Sequence, residues 1–162
     1  MLQKSKIDSK RAVQGLTMIE VMITVGILVV ALLGFLRLFM YCSQLAQTAR
    51  NLSFAVNDAQ VKLEEMRYYN FDRLAIDYAP SANPGDTFNL SQLDGMGKIY
   101  LTPVGGNPEV LQVDIVVSYR GGGNHLIGED DNFNGSIDGP EDVNGNNRLD
   151  SPAAIVSYIS KR

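Results

Sequence analysis

"GLTMIEVMITVGILVVALLGFL", residues 15–36, holds one charged side chain, Glu20, in an otherwise apolar run. From Leu16 to Leu36 the run is long enough, at ~1.5 Å per helical residue, to cross the ~30 Å hydrocarbon layer of a bilayer. Lys4, Lys6, Lys10 and Arg11 precede it, whereas only Arg37 and Arg50 follow closely. That bias predicts an N-terminus in the cytoplasm and a C-terminal part outside it. A secretory signal would keep its apolar core below about 15 residues and end at a small-residue site. This core is longer and runs into "RLFMYCSQ", and bulky Met40 and Tyr41 before Cys42 do not suit a lipoprotein site. The segment is therefore expected to stay on the mature chain as an anchor.

The rest of the composition narrows the possibilities. The chain has 162 residues, of which 45% are apolar and 20% charged, ordinary values for a folded protein. Much of the apolar inventory lies between Leu16 and Cys42, so the soluble part must be small. Of 14 basic and 18 acidic side chains, Lys4, Lys6, Lys10, Arg11 and Asp8 precede residue 16, which leaves the remainder at a formal −7. No basic patch is visible, so nucleic acid is not an expected partner. Cys42 is the only cysteine, which rules out an intrachain disulfide. His125 has no acid/base constellation around it, and "RGGG" at 120–123 lacks the lysine of a phosphate loop, so enzyme chemistry is not expected.

Helical periodicity continues past the apolar run. Leu45, Ala49, Leu52, Val56, Ala59, Leu63 and Met66 step by four and three, which predicts one long helix reaching about residue 70. "DYAPSANPGD" then breaks it. "KIYLTPV" and "EVLQVDIVVSY" alternate as strands, with Leu111, Val113, Ile115, Val117 and Tyr119 on one face, and "GGNP" turns between them. "AAIVSYIS" reads as the last strand, in a sheet of three or four strands packed on the helix stripe.

"KRAVQG" followed by "LTMIEVMITVGILVVALLGF" resembles the class III leader and N-terminal helix of type IV pilins and type II secretion pseudopilins. The likeness combines a basic leader, Gly15 at the cleavage position and an acid five residues into the mature chain, and covers about the first third of the sequence. It implies that a prepilin peptidase cuts between Gly15 and Leu16 and methylates the new amine. It also implies an α+β pilin fold, in which a long N-terminal helix, transmembrane in its first half, packs on a small antiparallel sheet. Physically, an ionisable group in the hydrocarbon is expensive, ~2.5 kcal/mol or more near the centre, and usually has a polar partner or a function. For Glu20 that partner is either the amine created at Leu16, in its own chain or a neighbour's, or simply headgroup water. The family resemblance implies the first, with Glu20 setting the register of a new subunit in a filament.

A second informative stretch is "EDDNFNGSIDGPEDVNGNNRLDSP", residues 129–152. It repeats at a period of 12 residues, pairing Asp130 with Asp142, Asn132 with Asn144, Asn134 with Asn146, Ile137 with Leu149, Asp138 with Asp150 and Pro140 with Pro152. The first copy follows the calcium-loop pattern: Asp130, Asn132 and Asn134, then Gly135 for the bend, a backbone carbonyl from Ser136, Asp138, and Glu141 at position twelve. The second offers Asp142, Asn144, Asn146, Arg148 and Asp150, with Asn147 in place of the glycine and Ala153 in place of the final acid. It is expected to be weaker or to borrow a ligand such as Glu141. Seven acids crowd this stretch, with Arg148 as the one base, so without a cation they would repel; the alternative is a solvated acidic turn. No helices flank the loops as in an EF-hand, so they are expected as an insertion between the last two strands.

These readings divide the chain into a leader (1–15), a transmembrane helix half (16–41), a soluble helix half (42–70) and a β domain (71–162) containing the tandem loops (129–152). The expected protein is a minor pilin or pseudopilin, not an enzyme, stabilised by one or two structural calcium ions. It would be single-pass in the inner membrane with a periplasmic or extracellular domain until it enters a filament. Expected partners are prepilin peptidase, other pilins or pseudopilins through the helix, and the assembly platform. By resemblance the C-terminal half is similar to minor pilins of the pilus-modification type and to small minor pseudopilins. Two alternatives stay open: a membrane-anchored calcium-dependent binding module and a DNA-uptake minor pilin.

Overall fold

A computed structural model describes residues 17–161. The element order is α1 (Met18–Tyr68), α2 (Phe71–Asp77), β1 (Thr87–Asn89), β2 (Gly95–Val104), β3 (Asn107–Arg120), β4 (Leu126–Ile127) and β5 (Ala153–Ser160). Helix α1 contains no proline, and it carries Glu20 in its first turn and Arg67 in its last, each favourable to the helix dipole. The chain falls into two units that meet within α1 at Cys42 and Ser43.

In the first unit, every described side chain of α1 is exposed, including Met22, Ile27, Val30, Phe35 and Phe39. α1 is the one described helix long and apolar enough to cross a membrane.

In the second unit, the remainder of α1 lies on the sheet. Ala55, Ala59, Leu63 and Met66 are buried there with Ile99, Leu111, Val113, Ile115, Val117 and Tyr119. The buried stripe is shorter than the periodicity predicts: Leu45 and Ala49 are exposed, and the stripe starts at half-buried Leu52 and gains Ala55. Helix α2, not foreseen from sequence, closes one end of the core with Leu74 and the following Tyr78. Its Asp77 accepts hydrogen bonds from Tyr69 (2.8 Å) and from Nε and Nη2 of Arg73 (3.0 and 2.9 Å). Arg73 foremost, then Tyr69, holds that carboxyl below the ordinary carboxylate range.

The molecule is thus an α+β protein with a small open antiparallel sheet of five strands rather than three or four. The two strands missing from the sequence reading, β1 and β4, are three and two residues long, too short to show alternation. β2 pairs with β1 on one edge and β3 on the other. β4 and β5 both pair with β3 along its other edge, β4 at Tyr119–Arg120 and β5 at 110–117. They are therefore collinear: Ile127 faces Tyr119, Ala153 faces Val117, and residues 128–152 leave and re-enter the line between them. The tandem loops do lie between the last two strands, but as an excursion from one edge line.

That excursion explains the burial of β3. Its core face is buried as alternation predicts, yet Asp114, Val116 and Ser118 on the opposite face are also buried. Several contacts tie the excursion to that face or to the strands beside it. The Asp130 N–H donates to Ser118 Oγ (3.3 Å), Ser151 Oγ to the Val117 carbonyl (2.5 Å), and the Leu149 N–H to Tyr100 Oη (2.9 Å).

Candidate functional site

The first loop is built from side chains turned back on their own backbone. Asp130, 2% exposed, accepts N–H groups from Asn134 (3.1 Å) and Gly135 (2.9 Å) on its two carboxylate oxygens. Asn132 Oδ1 accepts the Asn134 N–H (3.0 Å), and Asn134 Oδ1 accepts the Ser136 N–H (2.7 Å). Both carboxamides then donate to Asp138 Oδ2, from Asn132 at 2.9 Å and from Asn134 at 2.5 Å. Glu141, itself buried, closes the loop by accepting from the Asp138 N–H (2.9 Å) and the Asp131 N–H (3.1 Å). Gly135 makes the bend at φ +70°, and a Cβ there would strike Thr87 of β1, so both conformation and space require glycine.

The second loop repeats much of this pattern. Asp142 accepts from the N–H groups of Asn146 (3.0 Å) and Asn147 (2.8 Å). Asn144 Oδ1 accepts from Asn146 (3.0 Å), and Asn146 Oδ1 from the Arg148 N–H (2.7 Å). Asp150 Oδ2 receives both carboxamides at 2.6 Å. Asn147 takes the bend at φ +59°, a left-handed conformation that asparagine tolerates. Ala153, at position twelve, is fully buried at the start of β5. The group that meets the Asp150 N–H is Glu129 Oε2, at 2.9 Å. Glu141 accepts its hydrogen bonds from Asp131 and Asp138 of the first loop.

Among the described residues no three histidine, cysteine, aspartate or glutamate side chains are grouped as a metal-holding set. What converges in each loop is one carboxylate with two carboxamides. The hydrogen bonds of Asn132, then Asn134, hold the Asp138 carboxyl below its ordinary range, so it stays anionic. The amide nitrogens supply a partial positive charge at this point, and a divalent cation would supply far more. The carboxylates, the carboxamide oxygens and the Ser136 carbonyl are hard donors of the kind calcium takes, although both carboxamides turn their nitrogens, not their oxygens, to Asp138 here.

Arg120 reaches the first loop, but at the Asp131 carbonyl (3.3 Å) and over the Phe133 ring rather than at a loop carboxylate. Among the described residues no Lys or Arg forms an ion pair with Asp130, Asp138, Glu141, Asp142 or Asp150. Arg148, the one base within the loops, turns away: its guanidinium meets buried Asp114 at 2.7 Å and lies 4.4 Å from the Tyr100 ring centroid. Only its backbone remains available to the loop. Sequence reading missed this anchor because Asp114 alternates with apolar residues and reads as solvent-facing. It also missed Glu129, although the twelve-residue period carried back from Glu141 points to it.

At the other candidate site, Gly15 and Leu16 lie outside the described residues. Glu20 is exposed in the first turn of α1, where its N–H donates to the Thr17 carbonyl (3.1 Å) and to Thr17 Oγ1 (3.3 Å). The threonine therefore caps the helix start, which places the carboxylate on the apolar half of α1 without tying up its oxygens in that cap. Comparison with known proteins finds no matching family model, no matching curated protein and no matching solved structure.

Proposed function

We propose that this chain is a minor pilin or pseudopilin subunit, cut by a prepilin peptidase at Gly15–Leu16, that enters or primes a membrane-rooted filament. The observation that supports this most is α1 itself. A single helix carries an exposed apolar half with one acid in its first turn, then continues into a half that seats an antiparallel sheet. A spanning anchor alone would not need a carboxylate there, because an unpaired charge in lipid is costly. Pairing Glu20 with the amine of a neighbouring Leu16 removes that cost only when subunits stand side by side. By this reading the N-terminus is cytoplasmic before extraction and the sheet domain lies on the far side of the inner membrane.

Calcium is proposed as a structural ion of residues 130–150. Asp130, Asn132, Asn134, Asp138, Glu141 and the Ser136 carbonyl would hold it in the first loop. When bound, the ion would supply the positive charge that these carboxylates lack, which would fix the excursion against β3. The decisive test of the assembly role is Glu20→Ala, scored by blotting of membranes and sheared filaments. Cleavage is expected to remain intact while incorporation into filaments is lost; normal incorporation refutes the role. Wild-type chain that is processed yet stays permanently in the bilayer would favour an anchored calcium-dependent module instead.

A further inference from the structure

We infer that the open edge of β5 docks a second copy of this chain, β5 against β5 in antiparallel, to make one continuous sheet across two subunits. The pairing needs neither a bound ion nor cleavage at Gly15, and so goes beyond the filament reading.

The two edges of the sheet are unlike. At one, β1 has only three residues, and the β2 edge beyond it carries Pro103 and a register shift between Pro103 and Val104. Short edge strands, proline and irregular pairing are ordinary protections against strand addition. At the other edge β5 runs for eight residues, "AAIVSYIS", with no charge, no proline and an unbroken register against β3. Among the described strands none pairs with its far side. The Lys161 N–H donates to the Glu109 carbonyl (2.9 Å), so by the two-residue period the N–H and C=O groups of Ala154, Val156, Tyr158 and Ser160 point to the open side. Those four residues are exposed, Val156 and Tyr158 at 59% each. A cavity of about 390 Å³, bordered by Arg67, Phe71, Tyr158, Ile159 and Lys161, leaves space beside the C-terminal half of the strand.

Charge selects the occupant. Seven acids and one base, Arg148, lie just upstream between residues 129 and 150, whereas residues 161 and 162 are Lys and Arg. Arg148 is spent on Asp114; Lys161 pairs with Asp72, yet 46% of its side chain stays exposed. An antiparallel copy sets the basic end of each strand beside the acidic end of the other, and a parallel copy would set like beside like. The strand between is neutral, so two copies meet without repulsion. The register in which Ser157 faces its own counterpart pairs all four outward residues, Ala154 with Ser160, Val156 with Tyr158, and the reverse. The contact is then isologous, as a two-fold axis requires. Val156 opposite Tyr158 is a β-branched and aromatic pair of the kind that stabilises sheets.

The test is disulfide cross-linking of the full chain in detergent micelles, in a Cys42→Ser background. Ser157 meets its counterpart at a non-hydrogen-bonded position, where Cα atoms stand ~4.5 Å apart, within the span of a disulfide. Ser157→Cys is therefore expected to give a cross-linked dimer under mild oxidant, and Thr102→Cys, exposed on β2, to give none. Val156→Pro removes an outward N–H, and Tyr158→Lys puts a charge on the edge; each, added to Ser157→Cys, should abolish the cross-link. Thermal unfolding checks that both variants fold, and Tyr158→Lys, which keeps every backbone N–H, serves where proline weakens β5. Absence of the Ser157→Cys cross-link overturns the pairing, and is the result expected if a strand of another protein takes the edge. A cross-link that persists in folded Tyr158→Lys also overturns it, because association through α1 would then account for the contact.

Discussion

Single residues here are constrained by more than their immediate motif. Gly135 answers a backbone demand and a spatial one together, since φ +70° disfavours any side chain and the Thr87 methyl occupies the space a Cβ would need. Gly135→Ala is therefore expected to cost about 1–3 kcal/mol, read as a lower midpoint in thermal or urea unfolding. The matching change Asn147→Ala, at a bend of the same sign of φ where a Cβ is already accommodated, should cost less. If the two variants unfold alike, contact with β1 is not what fixes the first bend. Glu20 is bound by motif and environment alike: the Thr17 cap would serve any helix, but the apolar residues around the carboxylate would not.

At the level of elements, β3 shows what a strand between two layers requires. Leu111, Val113, Ile115, Val117 and Tyr119 face α1, while Asp114, Val116 and Ser118 lie beneath the excursion. Asp114 is tolerated there because Arg148 and Gln112 both reach it, at 2.7 and 2.9 Å. The pair is asymmetric, with 40% of the Arg148 side chain exposed against 9% for Asp114. Removing the arginine strands a buried carboxylate, whereas removing the acid leaves a cation that can turn to water. Arg148→Ala should therefore destabilise more than Asp114→Ala, with a coupling of about 1–2 kcal/mol after allowance for solvent screening. A double-mutant cycle in urea measures both, and a larger loss for Asp114→Ala would contradict the anchoring role. The core face of β3, the strand boundaries of β5 and the long helix were legible because periods of two and 3.6 extend over many residues. α2, β1 and β4 were not, because none is long enough to repeat its period several times, and the covering of Asp114 depends on partners distant in sequence.

For the whole molecule, the sheet domain is small and has no disulfide, so a metal-tied layer over β3 would be a sizeable share of its stability. Taking ~10 mM calcium and an extracellular-type affinity of ~0.1–1 mM, linkage gives about 1.4–2.7 kcal/mol per occupied loop. Thermal unfolding of the full chain should therefore shift upward by several degrees with calcium and much less with magnesium, which prefers a tighter octahedral shell. Equal shifts would count against a dedicated site. The collinear placement of β4 and β5 has a consequence for modularity. Because Ile127 faces Tyr119 and Ala153 faces Val117, Gly128 alone spans the gap opposite Ser118, so a chain spliced from Gly128 to Ala153 would keep register. The acidic cassette is thus appended to a continuous ribbon that could exist without it, and its cost is local: Asp114, Val116 and Ser118 would lose their roof.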